Sequence, residues 1–506
     1  MTLRLGVFAA CLAALVPAAG VARPRAEPTG VRLLVERDGR LAVLDVAGAT
    51  SLRLPLAPDA AWSPDGTLIA FARAGELWLA NADGSGVRRL TRTPNAAESE
   101  PSWGRAQSVA YTASIGGARQ IRVLRLPAAT TRRIAAASGE DWGAAFSPDG
   151  KRLAFVSTRL GTPAVFVARA DGTGAQPFHP PPPEGETPPT DIRHLSWSAD
   201  GRRLAYVGTL PDGNHVVVDD GVSRTVLEPG DAPVWAPTGE RLAFADATGQ
   251  VAILDADGSR RAAAGAGTPV DWRRVPLGKP QFPDLRQRPP SGLTVARSHG
   301  RWLLGFTSLV DNAGPGVLWL RAVRRPGANT MRVMQLVTIA GGGVRPVRGA
   351  GALRYVVAPP HYHWHLLGFE HYELRRAADF RLVVRDRKSG FCLADHYGIA
   401  RGIAHGAPRF LDGCRQFDPR ARSLDEGTSV GYTDRYPGFF HGQQLDVTRV
   451  SPGRYWLVHR VNADFGLRET SYGNDAASLL IRISWPGGRR ASPRVSVLRA
   501  CGKERC

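Results

Sequence analysis

Three histidines alternate with aromatic residues in the run His361-Tyr362-His363-Trp364-His365. Residues two apart in a β-strand project from the same face, so a strand here would place the three imidazoles together. Three such nitrogens suit copper(II) in a tetragonal site, or zinc in an open tetrahedral one. A regular strand spreads the outer Cα atoms by about 13 Å, so we expect this segment to be twisted or bulged. The pattern predicts a metal site at His361, His363 and His365; nearby His371 either supports a ligand or lies on the surface.

Two further segments carry residues suited to amine chemistry. Lysine is rare, with only four residues among 65 lysines and arginines. One of them, Lys388, precedes Phe391-Cys392-Leu393-Ala394-Asp395, and further on Asp434-Arg435-Tyr436 stands nine residues before Leu445-Asp446-Val447-Thr448. A desolvated lysine amine is a nucleophile that can add to an oxidised tyrosine ring. The alternatives are a surface charge for Lys388, a packed core residue for Tyr436 and a turn residue for Asp434.

Short strands separated by long loops must position these side chains. Residues 291–506 read as a β-sandwich-like domain whose chemistry lies on loops. The expected strands are Trp302–Phe306, Val317–Ala322, Arg332–Val337, Arg381–Val384, Leu445–Thr448, Tyr455–His459 and Leu479–Ser484. A proline-rich linker, residues 276–290, precedes this domain.

An internal repeat occupies the first half of the chain. Each copy has an aromatic residue, a Ser-Pro-Asp-Gly-like turn and then alternating apolar strands, which is typical of a β-propeller blade. The marker aromatics are Trp62, Trp103, Phe146, Trp197, Trp235 and Trp272. Trp272 opens a sixth unit without following strands, and unassigned strands lie at Val31–Glu36, Arg40–Val46 and Ser51–Leu54. We therefore predict six blades, closed by the N-terminal strands pairing with the strand around Trp272.

These repeats, in a domain predicted to span residues 23–275, resemble the TolB-like (WD-type) propeller family over about residues 30–275. The resemblance implies a fold, and fold alone does not give function. A platform that binds a protein or cell-wall partner and a scaffold for the second domain both remain open.

The N-terminus and the cysteines indicate export. Residues 1–22 combine Arg4, an apolar run and small residues at Gly20-Val21-Ala22, as in a signal peptide; a retained membrane anchor is the alternative. After its removal we expect no transmembrane segment and a secreted, periplasmic or cell-surface protein. Four cysteines then remain, and our preferred pairing of the three possible ones is Cys392–Cys414 and Cys501–Cys506. The net charge of +20 is spread along the chain, with no recognised nucleic-acid module, so no nucleic-acid partner is expected.

Taken together and in order, the motifs of residues 281–500 look like the catalytic domain of lysyl oxidases. The resemblance assigns copper to His361, His363 and His365, matches the downstream aromatic segment with Phe369 and Tyr372, and places the cofactor lysine and tyrosine at Lys388 and Tyr436. It implies copper(II) and lysyl tyrosylquinone as cofactors, with Asp434 as the candidate base. Residues 396–431 diverge strongly, which leaves the pocket wall and substrate choice open.

The resulting expectation is an all-β chain in which a six-bladed propeller precedes a lysyl-oxidase-like domain. Its expected function is an exported copper-dependent amine oxidase that converts primary amines or peptidyl lysine to aldehydes with oxygen, releasing ammonia and hydrogen peroxide. The main alternative is a non-catalytic secreted protein that binds metal and a partner. A zinc hydrolase ranks last, because no well-placed glutamate accompanies the histidines.

Overall fold

The computed structural model describes most of the chain beyond residue 28. The described residues are 29–45, 50–105, 107–126, 130–134, 138–180, 189–255, 261–276, 278–340, 343–358, 361–386, 390–399, 407–411, 413–438 and 443–506, without the side chains of residues 29, 51, 261, 276, 358 and 361. The predicted export signal and Lys388 lie outside them. All regular elements within these ranges are β-strands. Accordingly, this part of the chain contains no helix of the length and apolar character needed to cross a membrane.

The first half forms six four-stranded blades, which confirms the predicted propeller. The first blade contains β4 (Ala60–Trp62), β5 (Leu68–Arg73), β6 (Glu76–Asn81) and β7 (Arg88–Arg89); the second β8 (Ala96–Trp103), β9 (Ser108–Ile115), β10 (Ala118–Arg125) and β11 (Thr130–Arg133); the third β12 (Asp141–Phe146), β13 (Arg152–Ser157), β14 (Ala164–Arg169) and β15 (Gln176–Pro177). The fourth and fifth share the long strand β19 (Arg224–Trp235), joining β16 (Ile192–Trp197), β17 (Leu204–Leu210) and β18 (Gly213–Asp219) to β20 (Arg241–Asp246), β21 (Gln250–Asp255) and β22 (Arg261–Ala266).

The sixth blade closes the ring with strands from both ends of the propeller. It contains β1 (Thr29–Arg37), β2 (Arg40–Leu44), β3 (Thr50–Leu54) and β23 (Thr268–Pro276). β1 pairs antiparallel with β23, with Leu33 opposite Trp272. The closure predicted from the repeat count is therefore confirmed.

The repeated turn explains why each unit folds in this way. In the first blade, Asp65 accepts hydrogen bonds from Ser63 Oγ at 2.6 Å and from the Thr67 backbone N–H at 3.1 Å. Gly66 has φ +65°, a left-handed conformation that glycine adopts without a steric cost. Tryptophans then join neighbouring blades: Trp103 Nε1 donates to the carbonyl of Ala61 at 3.0 Å. Local turn chemistry and contacts between blades thus point to the same architecture.

Three sheets around one core make up the second domain. The first contains β24 (Pro280–Gln281), β28 (Leu318–Arg324), β29 (Thr330–Ile339), β30 (Val344–Ala358), β31 (His361–Leu366) and β35 (Ser423–Thr428). The second contains β25 (Leu285–Gln287), β26 (Ser291–Ser298), β27 (Arg301–Asn312), β34 (Tyr397–Gly398), β36 (Tyr432–Tyr436) and β37 (Gln444–Asp446). The third contains β32 (Glu370–Arg376), β33 (Leu382–Arg385), β38 (Gly453–Val461), β39 (Ala476–Ser484) and β40 (Arg494–Cys501).

The segment expected to be a linker, residues 276–290, contains β24 and β25. β24 pairs with β29, with Pro280 opposite Ile339, and β25 pairs with β27, with Leu285 opposite Asn312. Its prolines are compatible with short strands at sheet margins, where a missing N–H leaves no buried acceptor unpaired. This part of the predicted linker therefore belongs to the sheets of the second domain.

Buried polar contacts join the two domains. Asn81 Nδ2, at the end of β6, donates to the carbonyl of Glu469 at 3.1 Å. Arg468, 8% exposed, donates to the carbonyl of Thr67 at 3.2 Å. The Arg88 guanidinium lies 4.6 Å above the centre of the Phe465 ring. The first propeller blade is thus docked against the segment that follows β38.

Candidate active site

Two of the three predicted metal ligands meet on β31. His363 Nε2 lies 2.7 Å from His365 Nε2, and their ring centres are 4.7 Å apart. The pairing of β31 with β30 runs without a register shift from Ala358–His361 to Leu353–Leu366, so the expected bulge is absent and the two rings converge on a regular strand. The side chain of His361 lies outside the described residues. Across those residues, no group of three His, Cys, Asp or Glu side chains converges on one point.

The other edge of β31 is bonded to two loops. The Trp364 N–H donates to the carbonyl of Cys414 at 3.1 Å, and the Phe417 N–H donates to the carbonyl of Tyr362 at 2.7 Å. Leu366 and Phe391 exchange a reciprocal pair of backbone bonds of 2.7 and 2.9 Å. The histidine strand is therefore held on both edges, which limits the positions that the imidazoles can reach.

Gly390 explains how the segment after Lys388 approaches the histidines. A Cβ at position 390 would lie 2.8 Å from the Cβ of His365 and 2.8 Å from the carbonyl oxygen of Leu366. Only a residue without a side chain fits this contact. Lys388 itself lies outside the described residues, but Gly390, two residues further along the chain, contacts His365.

Tyr436 is held on the other side of Phe391. The two rings meet edge to face, with centres 4.9 Å apart. The Tyr436 phenol forms a short hydrogen bond with Asp434 Oδ2 and lies 3.0 Å from the carbonyl oxygen of Cys392. Phe391 thus connects the tyrosine to the strand that carries the histidines, and Asp434 is a partner of the phenol rather than an exposed turn residue.

Burial dominates the electrostatics of this pair. Asp434 is 0% exposed and Tyr436 is 4% exposed. Burial, followed by the charge of Asp434 and then of Glu370, raises the pKa of Tyr436 well above its usual value. Burial also raises the pKa of Asp434, which the neighbouring His396 opposes. The phenol therefore keeps its proton at neutral pH and uses it in the hydrogen bond to Asp434.

Both disulfides of the preferred pairing are present. Cys392 and Cys414 are bonded with their Cα atoms 5.8 Å apart, and Cys501 and Cys506 with theirs 6.0 Å apart. The first bond joins the Phe391 segment to the loop that pairs with Trp364. It therefore ties together two segments that flank β31.

Two polar residues at the site had no signal in the sequence motifs. His396 Nδ1 lies 3.1 Å from Asp434 Oδ1. Glu370, 1% exposed, accepts hydrogen bonds from Ser308 Oγ at 2.9 Å and from the Tyr372 phenol at 2.5 Å. Their roles depend on strand register between distant segments, and no local pattern encodes that register.

His371 lies apart from the histidine pair. Its Nε2 is 3.7 Å from Asp464 Oδ2 and its side chain is 29% exposed. It lines a cleft of about 530 Å³ that also includes Arg92 of the propeller. Of the two alternatives for His371, this position matches the surface histidine.

The fold and the site together define an all-β protein with a propeller and a second domain bearing a histidine pair and a buried tyrosine. Residues 61–256 match the family model of the TolB beta propeller domain, and residues 329–486 match that of lysyl oxidase. Both sequence resemblances are confirmed, each for its own part of the chain.

Individual relatives show the same division. A protein TolB homolog of Chlorobium luteolum is 37% identical over 120 residues, which are 22% of this chain and 26% of that protein. A protein-lysine 6-oxidase of Rattus norvegicus is 32% identical over 128 residues, which are 24% of this chain and 27% of that protein. The matched part thus spans about a quarter of each relative's length. Among solved structures, TolB from Acinetobacter baumannii aligns with a TM-score of 0.41 and 21% identity, covering 48% of this chain and 66% of that one.

Proposed function

We propose that this protein is an exported copper-dependent amine oxidase that acts on primary amines or peptidyl lysine, with copper held by His361, His363 and His365. The convergence of the His363 and His365 nitrogens, on a strand linked through Phe391 to Tyr436, is the observation that carries the proposal. The lysyl oxidase match over residues 329–486 supports the same chemistry.

Imidazole nitrogens suit both copper(II) and zinc. The lysyl oxidase match over residues 329–486 is what favours copper at the histidine strand.

The second cofactor in the proposal is lysyl tyrosylquinone, formed from Lys388 and Tyr436. When present, this group supplies an electrophilic carbonyl that accepts the substrate amine. The contact of Gly390 with His365 brings the chain two residues from Lys388 beside the histidine strand. The packing of Tyr436 on Phe391 brings the phenol to the same segment.

The protein's own residues have separate roles in this proposal. Asp434 is placed to receive protons, because its carboxylate is buried and already bonded to the phenol. Phe391 and Tyr372, whose ring centres are 6.0 Å apart, line the core beneath the phenol and exclude water. Exclusion of water strengthens the interaction of the amine with the fixed carboxylate. The propeller is proposed to bind the partner or polymer that bears the amine.

Peptide mass spectrometry of copper-loaded protein tests the cofactor. We expect a cross-linked peptide containing positions 388 and 436, a visible absorption, and peroxide release with simple amines. Lys388→Arg and Tyr436→Phe should abolish all three. Lys503→Arg is the matched control, because Lys503 is an exposed lysine of the same domain. A visible absorption that persists in Lys388→Arg would contradict the assignment of Lys388 to the cofactor.

Copper binding is tested separately by metal analysis and by electron paramagnetic resonance. His363→Ala and His365→Ala should each remove the nitrogen-ligated copper(II) signal, whereas His371→Gln should retain it, because His371 faces Asp464 instead. If wild-type protein binds copper but forms no cross-link, the protein is a metal-binding secreted protein without this cofactor.

A further inference from the structure

His396 faces the buried Asp434–Tyr436 pair from the neighbouring strand. β34 pairs antiparallel with β36, with Tyr397 opposite Thr433. The N–H of His396 donates to the carbonyl of Thr433 at 3.1 Å. His396 therefore stands one position before β34, level with Asp434, and its placement follows from backbone pairing.

The two oxygens of Asp434 connect the phenol with the imidazole. Oδ2 takes the short hydrogen bond from Tyr436, and Oδ1 lies 3.1 Å from His396 Nδ1. Phenol, carboxyl group and imidazole therefore lie in contact one after another, and a small rotation of the His396 ring or of the Asp434 carboxyl group would align Oδ1 and Nδ1 for proton transfer. This series of three groups runs from the core to the surface, because the His396 side chain is 38% exposed while that of Asp434 is 0% exposed.

No other charged neighbour of the phenol provides this connection within the described residues. The carboxylates of Glu370 and Glu426 also raise the pKa of Tyr436, but each side chain is 1% exposed. Arg435, between Asp434 and Tyr436 in sequence, is exposed on the other side of the strand. Of the groups that act on the phenol or on Asp434, His396 alone combines a titratable ring with access to water.

His396 Nδ1 has a different partner in each protonation state. The Arg435 backbone N–H donates to this nitrogen across 3.2 Å, an arrangement that requires an unprotonated Nδ1. A protonated Nδ1 would instead face Asp434 Oδ1, which lies 3.1 Å away. Both partners belong to β36: one is the backbone N–H of Arg435 and the other is the buried side chain of Asp434. The imidazole ring can therefore change its protonation state without leaving its position.

We propose that His396 carries protons between the buried Tyr436–Asp434 pair and the solvent. In the outward direction, the Tyr436 O–H bond breaks and the proton passes to Asp434 Oδ2. Asp434, neutral and protonated on Oδ1, passes that proton to His396 Nδ1 as it accepts the phenolic proton on Oδ2, and His396 Nε2 releases its own proton to water. One proton leaves the phenol, one reaches the solvent, and no electrons move.

This inference deepens the proposed function, on which its catalytic use rests. Forming the tyrosine-derived cofactor removes the phenolic proton, and amine oxidation delivers a proton to the base. Both events occur at buried groups, so a path to water is required each time. In this role His396 is a positioning and proton-transfer residue that acts through Asp434.

The test follows the Tyr436 hydroxyl proton in copper-free protein. Protein with tyrosine labelled at the ring carbon bearing the hydroxyl is transferred to D₂O, and the isotope shift gives the exchange rate; Tyr436→Phe assigns the signal. We expect His396→Gln to slow exchange at least tenfold, because an amide can occupy the place beside Asp434 but does not take up and release a proton near neutral pH. In His396→Gly, added imidazole should restore fast exchange. Unchanged exchange in His396→Gln, or no effect of imidazole on a slowed His396→Gly, overturns the proposal.

A second measurement separates this inference from the proposed function. On copper addition, His396→Gly should form the 388–436 cross-link at least tenfold more slowly than wild type, with rescue by imidazole, whereas His371→Gly should form it at the wild-type rate. A cross-link that forms in His396→Gly as fast as in wild type overturns the relay. Absence of the cross-link in wild type overturns the proposed function, while the copper-free exchange rates still decide the relay.

Discussion

Removing the Cys392–Cys414 disulfide should cost more stability than removing Cys501–Cys506. The two bonds close loops with sequence separations of 22 and 5 residues. The loop-entropy relation gives about 3.4 kcal/mol for the longer loop and about 2 kcal/mol for the shorter one. Each bond has one cysteine that is nearly buried, Cys414 at 1% and Cys501 at 3% exposed. The other cysteine is half-buried in the longer bond, Cys392, and exposed in the shorter one, Cys506. Loop length alone should contribute a difference of about 1.3 kcal/mol in the free energy of unfolding, and the deeper burial of the longer bond acts in the same direction.

Urea unfolding of the two double-alanine variants measures this difference. We compare midpoints of the transition that includes the second domain, followed by circular dichroism without reductant. The longer loop also holds the Cys392 carbonyl beside the Tyr436 phenol. Copper-dependent cross-linking should therefore fall in the Cys392/Cys414 variant and stay intact in the Cys501/Cys506 variant. Equal midpoints, or a greater loss for the short loop, would refute the loop-entropy reasoning.

Three further predictions follow from buried groups. Gly390→Ala should slow cross-linking at least tenfold by displacing the segment from His365, while a Gly502→Ala control, whose Cβ would meet nothing within 4 Å, should leave the rate unchanged. Burial lowers the pKa of His459 from 6.5 to about 3, so the unfolded chain binds the extra proton. Stability should fall as pH drops from 6.5 towards 3, by at most about 1.4 kcal/mol per pH unit, and a urea midpoint series for His459→Val should show a shallower slope. Burial raises the pKa of Glu469 and Asp475, so their contribution to stability is lost as pH rises through the raised pKa values. Asp475→Asn should flatten the fall in stability between pH 3.8 and about 8 in the same midpoint series.

The propeller could be predicted from sequence because its determinants are local and repeated. The Ser-Pro-Asp-Gly turns at Ser63–Gly66 and Ser147–Gly150 fix the hairpins, and the aromatic residue before each turn lies between blades. Ring closure followed from counting strands. In the second domain, β30 was not predicted, because its arginines, glycines and proline at Val344–Ala358 hide the alternation typical of a strand.

The candidate site was predictable only where its residues are close in sequence. The alternation in β31 indicated a shared face for His363 and His365, and the structure brings their nitrogens together. The segment was expected to be twisted or bulged; β31 pairs with β30 without a register shift, so it has no bulge there. His396 was missed because its role depends on pairing between β34 and β36, which are more than 30 residues apart along the chain.

Ring closure also sets an order of events for the nascent chain. β1 has its permanent partner in β23, and about 240 residues must be synthesised between them. Until Thr268–Pro276 emerges, the edge of β1 that pairs with β23 remains without its neighbour. β24 and β25 follow within a few residues, so completion of the propeller and the start of the second domain coincide. A truncation that ends before residue 268 should therefore leave an open, association-prone ring rather than a five-bladed one.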